Sequence, residues 1–174
     1  LRSDDPEAVS ALAVARGMDE GRGAPVSVRR FRLVELRGAL PPRRELEGLL
    51  QRSIQFYNPQ KEDVVVRLGG EAAPLAAGER AVLVYERGGA RRAAAERWWA
   101  AETGGVVQVR EGVVWALRFA AGTDAARAAA RLAVVRDRRR GLFCNPHAEE
   151  HRLAGAAVPM PWLERPRGGR EGAR

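Results

Sequence analysis

Two stretches in the first half of the chain have apolar residues at helical spacing. The first helix is predicted over 7–16, after Asp5-Pro6, because an acidic N-cap followed by proline is a typical helix start. The second helix follows Pro41-Pro42 and ends before Asn58-Pro59, since proline cannot continue a helix. The residues expected to face the core in these helices are Val9, Leu12, Ala13, Leu46, Leu49, Leu50 and Ile54.

Alternation of apolar and polar residues predicts strands in the same half. Residues 26–36 alternate, but the phase changes at Arg29-Arg30, which predicts two strands joined by a tight turn. The run of valines in 63–68 predicts a further strand. The first half is therefore interpreted as helix, strand, strand, helix and strand, without an opening strand.

The second half has the same kinds of pattern and does begin with a strand, over 81–85. Residues 106–119 predict a hairpin with its turn at Glu111-Gly112, and a short extended stretch near Leu153 predicts the last strand. The remaining predicted elements are helices over 90–102 and 124–140.

The two halves share a pair of short motifs in the same order. Val26-Ser27-Val28-Arg29 resembles Val107-Gln108-Val109-Arg110, and Asn58-Pro59-Gln60-Lys61-Glu62 resembles Asn145-Pro146-His147-Ala148-Glu149. Both asparagines are expected to turn the backbone ahead of the proline. A unit of about 80 residues used twice has the size of a small α/β module, so the pattern predicts an internal duplication.

The order of elements in the second half, β-α-β-β-α-β, is that of a ferredoxin-like unit. We therefore expect an α+β fold of two tandem ferredoxin-like units that pack as a pseudo-dimer, the first of which lacks its opening strand. That gap falls where the sequence begins, with Leu1 rather than Met, and this predicts a strand upstream. The predicted divisions are repeat 1 over 1–68, a linker over 69–79, repeat 2 over 80–160 and a disordered basic tail over 161–174.

Composition narrows the class of protein. The chain has 174 residues, 45% of them hydrophobic, which suffices for a core. No apolar run approaches the roughly 18 residues of a membrane span, so we expect no membrane partner. Because the sequence shows no signal-peptide pattern and Cys144 is its only cysteine, we expect a cytoplasmic protein.

The net charge of +8 is compatible with nucleic-acid binding. Lys61, however, is the only lysine among 30 basic residues, and arginine, alanine and glycine are abundant together, as in proteins from GC-rich genomes. The arginines are also scattered along the chain. Genome composition is therefore the favoured cause of the charge, and any nucleic-acid binding is expected to be non-specific. A stand-alone basic α/β protein that binds RNA or DNA is the alternative.

The paired motifs are similar to those of the PurS family, the small subunit of bacterial phosphoribosylformylglycinamidine synthase. Members of that family have Asp-Pro before the first helix, a Val-Arg-x-Gly hairpin and Asn-Pro-x-x-Glu after the second helix. The single-chain form of the enzyme has an N-terminal region equivalent to two PurS copies. The matching residues, which we interpret as motif or interface residues, are Asp5, Pro6, Arg29, Asn58, Pro59, Glu62, Arg110, Glu111, Gly112, Asn145, Pro146 and Glu149.

The resemblance implies a scaffold that is not itself catalytic. The enzyme it serves is an ATP-dependent C–N ligase of purine biosynthesis, which uses ammonia derived from glutamine. A PurS-like component joins the synthetase and glutaminase subunits, its implied partners, and helps to enclose the ammonia path. No cofactor, metal or catalytic residue is implied for this chain. Glu62 and Glu149 are interpreted as structural by default, and the alternatives are that they bind Arg29 and Arg110 or a partner.

One further pattern points to a different chemistry. His147-Ala148-Glu149-Glu150-His151 fits the H-x-x-E-H motif of inverted zincins, and Cys144 adds a thiol nearby. That chemistry needs a helix, so that both imidazoles face one metal, and a downstream carboxylate, for which only Glu164 and Glu171 are available. The favoured interpretation is a surface turn. Likewise, Trp98-Trp99 is interpreted as core or interface packing rather than as a stacking platform for bases.

Overall fold

The computed structural model describes residues 5–18, 23–69, 71–88 and 91–162. These residues form an α+β fold of four helices and one four-stranded antiparallel sheet. Among the described helices, none combines the length and the apolar character that a membrane crossing requires. The elements, in chain order, are α1 (Pro6–Met18), β1 (Ser27–Gly38), α2 (Arg43–Gln51), β2 (Glu79–Glu86), α3 (Ala93–Thr103), β3 (Val107–Arg118), α4 (Ala125–Ala133) and β4 (Glu149–Ala154).

The sheet has the strand order β1-β3-β2-β4 and is built on its two long strands. β1 and β3 pair over their whole length, from Ser27 opposite Arg118 to Gly38 opposite Val107. β2 pairs with the other side of β3, but only from Val113 to Arg118, and β4 pairs with the far side of β2. Within the described residues, β1 is therefore an edge strand with a neighbour on one side.

Both predicted hairpins are wrong, because each is one continuous strand. β1 passes through Arg29-Arg30 without a turn, and β3 passes through Glu111-Gly112 in the same way. Gly112 is required by close packing instead. A Cβ at this position would lie 2.9 Å from Leu83 Cδ1 and 2.9 Å from the carbonyl oxygen of Val84. The glycine that suggested a turn is thus a place where β2 passes close to the backbone of β3.

The helices cover one face of the sheet, and this face holds two apolar clusters. Cluster 1 joins α1 and α4 to β2 and the second part of β3, around the buried Val82, Leu117 and Ala133. Cluster 2 joins α2 and α3 to the first part of β3 and the second part of β1, around the buried Trp99 and Val109. Val109 and Leu117 project to the same side because side chains alternate along a strand.

The predicted linker and the beginning of the predicted tail cover the opposite face. Leu83 and Val114 form the centre of this third cluster. The Val158 amide donates to the carbonyl oxygen of Ala73 at 2.9 Å, so the linker pairs with a segment after β4. Trp162 is buried in this cluster, so the prediction of disorder is wrong for this residue. The rest of the predicted tail lies outside the described residues.

The predicted inward faces of the first two helices are only partly correct. α2 buries its leucines as expected, but Ile54, just after it, is 75% exposed. α1 turns a different face to the sheet, since Val9 is 56% exposed. Alanine has the smallest side chain with a Cβ, so an alanine face lets a helix lie close to a sheet. The buried residues of α1 are Ala8, Ala11 and Ala15.

The last helix is shorter than predicted. α4 ends at Ala133, where Val134 adopts an extended conformation and forms a parallel bridge with Cys144. The chain returns through Gly141, whose φ of +82° favours glycine. A Cβ on Gly141 would overlap the carbonyl oxygen of Val134. The helix therefore ends before residues 134–140, which were predicted to be helical.

Residues 63–68 do not join the sheet, although a strand was predicted there. Val66 and Leu68 pack against cluster 2, whereas Val64 and Val65 are 45% and 72% exposed. The carbonyl oxygen of Val66 accepts a hydrogen bond from Arg43 Nη1 at 2.8 Å. A segment rich in strand-forming residues thus lies beside cluster 2 without forming a strand.

Candidate functional site

The first Asn-Pro-x-x-Glu segment forms a turn that its own side chains close. Glu62 Oε2 accepts a hydrogen bond from the Asn58 amide at 2.6 Å, and Asn58 Oδ1 accepts one from the Gln60 amide at 3.0 Å. The Glu62 amide donates back to the carbonyl oxygen of Asn58 at 2.7 Å. These bonds satisfy backbone groups around Pro59, which has no amide hydrogen to donate.

The second segment forms the same turn with the same bonds. Glu149 Oε2 accepts from the Asn145 amide at 2.7 Å, and Asn145 Oδ1 accepts from the His147 amide at 3.1 Å. The Glu149 amide donates to the carbonyl oxygen of Asn145 at 2.8 Å. Arg87 Nη2 also donates to the carbonyl oxygen of Pro146 at 2.7 Å. The prediction that both asparagines turn the backbone is confirmed.

The long strands that precede these turns are related in the same way. Val28-Arg29 in β1 corresponds to Val109-Arg110 in β3, and Leu36-Arg37 corresponds to Leu117-Arg118. In the ladder, Val28 pairs with Leu117 and Leu36 pairs with Val109. The β1–β3 pair is therefore symmetric about the Arg32–Val113 pair, as two copies related by a two-fold axis are.

Each of the two clusters under the helices contains one helix from each repeat. α1 and α3 precede the long strands, and α2 and α4 follow them. Cluster 1 combines α1 with α4, and cluster 2 combines α3 with α2. The two halves of the chain therefore contribute to both clusters, rather than each half having a cluster of its own.

A polar strip separates clusters 1 and 2, and we call its residues Arg30, Arg32 and Glu111 the polar seam. All three project from the helix-covered face, near the centre of the β1–β3 pair. Arg30 Nη2 lies 3.0 Å from Glu7 Oε2, and Arg30 Nη1 lies 3.4 Å from Asp5 Oδ2. Asp5 Oδ1 also accepts from the Glu7 amide at 2.9 Å, which confirms its predicted capping role. One end of the seam therefore holds the start of α1, at Asp5-Pro6.

The other end of the polar seam holds the start of α3 and the first turn. Glu111 forms an ion pair with Arg92, the residue before α3, and its Oε1 lies 3.7 Å from Arg32 Nε. Arg32 Nη2 lies 3.7 Å from Glu62 Oε2. Arg30 and Glu111 occupy corresponding places in the two repeats, but their charges are opposite. The seam can thus fix two helix starts and one turn against the central strands.

Arg29 lies on the opposite face and does not bind Glu62. It donates two hydrogen bonds to Glu79, Nε to Oε1 at 2.9 Å and Nη2 to Oε2 at 2.7 Å. The Glu79 side chain is only 3% exposed, and the Ala76 amide donates a third bond at 2.9 Å. The Arg29 hydrogen bonds hold the pKa of Glu79 below its ordinary value, although burial opposes them.

The alternative pairs of Glu62 and Glu149 with Arg29 and Arg110 are wrong. Arg110 lies over the ring of Trp162, 5.9 Å from its centre, on the face away from the helices. Both arginines point away from the turns because side chains alternate along a strand. The two arginines of β1 that do lie on the helix-covered face are Arg30 and Arg32. These are the seam residues that sequence reasoning missed. Polar residues at alternate positions, between apolar ones, were the signal available.

The inverted-zincin interpretation is wrong, because its segment is not helical. His147 lies in the turn and His151 lies in β4. Glu150 and His151 are neighbours in a strand and point to opposite faces, and Glu150 accepts from the Tyr85 hydroxyl at 3.3 Å. Burial raises the pKa of the Cys144 thiol. In the part of the chain that the structure describes, no group of three or more ligating side chains could hold a metal ion.

A scan against protein-family models found no match, and searches of curated proteins and of solved structures found none either.

Proposed function

We propose that this chain is a PurS-like scaffold component of phosphoribosylformylglycinamidine synthase, the ATP-dependent ligase of purine biosynthesis, and that it acts in the cytoplasm. It joins the synthetase to the glutaminase and helps to enclose the path of ammonia. The observation that supports this most is the pair of turns at Asn58 and Asn145, which are closed by the same hydrogen bonds. One short motif has little specificity, whereas two copies with one local structure support a duplicated unit.

The proposal includes two ferredoxin-like units that share their long strands. The order β1-β3-β2-β4, with α1 and α4 on one face, suits such a unit when the first part of β1 is taken as one strand and the second part of β3 as the next. The other parts of β1 and β3 then belong to the second unit, with α2 and α3. In this arrangement the predicted hairpins are opened, and the two repeats exchange them as a pseudo-dimer.

The turns are the surfaces that we assign to partner contacts. The carboxylates of Glu62 and Glu149 are used inside the turns, so they shape the backbone rather than meet a partner. The two residues between the proline and the glutamate are exposed in both turns, namely Gln60-Lys61 and His147-Ala148. Two equivalent surfaces on one scaffold suit a component that holds two different subunits together.

Reconstitution tests this function. The synthetase and glutaminase subunits from the same genome are purified, and amidine formation is measured with glutamine or with ammonia as the nitrogen source. We expect the chain to co-elute with both subunits and to raise the glutamine-dependent rate, with little effect on the ammonia-dependent rate. A folded chain that neither co-elutes nor changes the glutamine-dependent rate would refute the proposal.

Matched variants locate the contact. The double variant Gln60→Glu/Lys61→Glu changes only exposed turn residues and is expected to weaken co-elution. Arg138→Glu/Arg139→Gln changes exposed residues of a different turn by the same three units of charge and serves as the control. Circular dichroism establishes that each variant is folded. Equal loss of co-elution in both variants would assign the binding to general positive charge instead.

A further inference from the structure

The outer sides of the two long strands correspond in the duplication, but only one of them has a neighbour. Residues 113–118 of β3 pair with β2. The corresponding residues of β1 are 32–37, which we call the open edge. Within the described residues, the open edge has no strand on its outer side. An unpaired row of backbone donors and acceptors is a template for another strand.

The apolar clusters differ at the same place. β2 contributes two nearly inaccessible side chains to cluster 1, Val82 and Val84, at 0% and 5% exposure. In cluster 2 the nearly inaccessible strand residues, Val107 and Val109, come from β3, and the apolar residues that β1 and the segment 63–68 contribute are only partly buried. These residues are Val34, Leu36, Val66 and Leu68.

The segment 63–68 fits this difference. It follows the first turn as β4 follows the second, and β4 pairs with β2 rather than with β3. A segment in the position of β4 therefore needs a counterpart of β2 before it can join the sheet. Its exposed residues Val64 and Val65 have the β-branched side chains of a strand.

We propose that the open edge binds a β-strand from a partner polypeptide, antiparallel to β1 and with the chemistry of β2. Two apolar side chains two residues apart, the counterparts of Val82 and Val84, project into cluster 2. An acidic residue begins this strand, because Glu79 begins β2 opposite Arg118 and is bound by Arg29. The counterparts of these two arginines are Arg110 and the exposed Arg37. Strand addition of this kind takes affinity from backbone hydrogen bonds and specificity from alternate side chains.

The paired length of this strand is limited to residues 32–37. β2 continues past Gly112, where a Cβ would lie 2.9 Å from Leu83 Cδ1. The corresponding residue in β1 is Phe31, so β1 has a large side chain at the place where β3 has none. The partner strand therefore ends its pairing before Phe31.

A peptide probe tests the open edge. The probe is a fluorescein-labelled synthetic peptide with the sequence of residues 79–86, titrated with the full chain and followed by fluorescence anisotropy. We expect saturable binding and slower hydrogen exchange at 32–37. Asp at both positions that copy Val82 and Val84 should weaken binding at least about tenfold, as burial of two charges in an apolar cluster is unfavourable. A peptide with Ala in place of the residue that copies Arg80 should bind nearly as well as the original probe.

Two controls separate strand addition from other binding. Peptides methylated on alternate sets of backbone amides should differ, since only one set faces β1. Arg37→Glu should weaken binding of the probe and strengthen binding of a peptide that has Lys in first position. Arg136→Glu makes an equal change of charge elsewhere and should have neither effect. Absence of saturation up to about millimolar peptide, or equal binding of both methylated peptides, would overturn the proposal. A chain dimer with 32–37 already protected would assign the edge to a second copy, and would overturn it too.

Discussion

The two halves of the molecule contain corresponding elements but differ in how far they are completed. The half around cluster 1 has a long strand, β2 and β4 in one ladder. The half around cluster 2 has a long strand and the segment 63–68, with no strand between them in the described residues. The valines of 63–68 have strand propensity equal to that of β4 or better. Strand propensity alone therefore does not make a strand, because a strand needs a neighbour to pair with.

The half around cluster 2 is packed with aromatic rings instead. Phe56 contacts Trp98 and Trp99 edge-on, with ring centres 5.6 and 6.2 Å apart. Phe143, the counterpart of Phe56, has one ring neighbour, Trp115, at 4.8 Å. The interpretation of Trp98-Trp99 as core packing is confirmed for Trp99, which is 1% exposed. The buried residues of cluster 2 therefore include several large aromatic side chains, whereas those of cluster 1 are mostly smaller.

The largest expected effect comes from removing the corresponding phenylalanines. Phe56→Ala should lower the free energy of unfolding by about 3–5 kcal/mol, as expected for a fully buried ring. Phe143→Ala should lower it by only about 1–3 kcal/mol, because Phe143 is partly exposed and some of its area is already in water. Urea unfolding of both variants measures the difference. Equal losses would mean that the two clusters do not differ in this way.

The next largest effect is expected in the half around cluster 1, at the ion pair between Arg29 and Glu79. Glu79→Gln should lower the free energy of unfolding by about 1.5–3 kcal/mol at neutral pH, since Glu79 accepts two hydrogen bonds from Arg29 and is buried. Glu7→Gln, which alters the exposed partner of Arg30, is the matched control and should change it by less than about 1 kcal/mol.

The same pair makes a pH-dependent contribution. Because folding lowers the pKa of Glu79, the stabilisation is complete above the ordinary glutamate pKa of about 4.3 and is lost as pH falls through the lower folded pKa. The difference in the free energy of unfolding between the native chain and Glu79→Gln should therefore become smaller below about pH 4. A difference that became larger in acid would contradict a lowered pKa of Glu79 in the folded chain.

The coarse fold and the turns could be predicted from the sequence, but the two continuous long strands could not. Helical and alternating patterns located the helices, and the paired Asn-Pro-x-x-Glu segments predicted equivalent turns. Gly112 was misinterpreted because a glycine in a strand suits either a turn or a close approach by another strand. Which of these applies depends on β2, whose Leu83 passes over it. Arg32 and Glu79 were missed since their partners lie far away along the chain.

A smaller effect should be the same in both halves. Glu62→Ala and Glu149→Ala each remove a carboxylate that accepts from an asparagine amide, at 2.6 and 2.7 Å. Each should lower the free energy of unfolding by about 0.5–1.5 kcal/mol, and the double variant should lower it by nearly the total of the two. Chemical denaturation of the three variants measures this. Losses that differ more than about twofold would show that the turns, although alike in geometry, are not equivalent in energy.

The smallest effect concerns the polar seam, where the halves have opposite charges in corresponding places. Arg30 and Glu111 each hold the start of a helix through an ion pair that is partly exposed to solvent. Arg30→Gln should lower the free energy of unfolding by about 0.2–1 kcal/mol, with the loss reduced in high salt, because water and ions screen such pairs. Glu111→Gln should cost somewhat more, since Glu111 also lies 3.7 Å from Arg32 and so interacts with two arginines. Thermal unfolding of both variants at low and high salt measures the order. A larger loss for Arg30→Gln would indicate that the seam is held mainly through α1 rather than through α3.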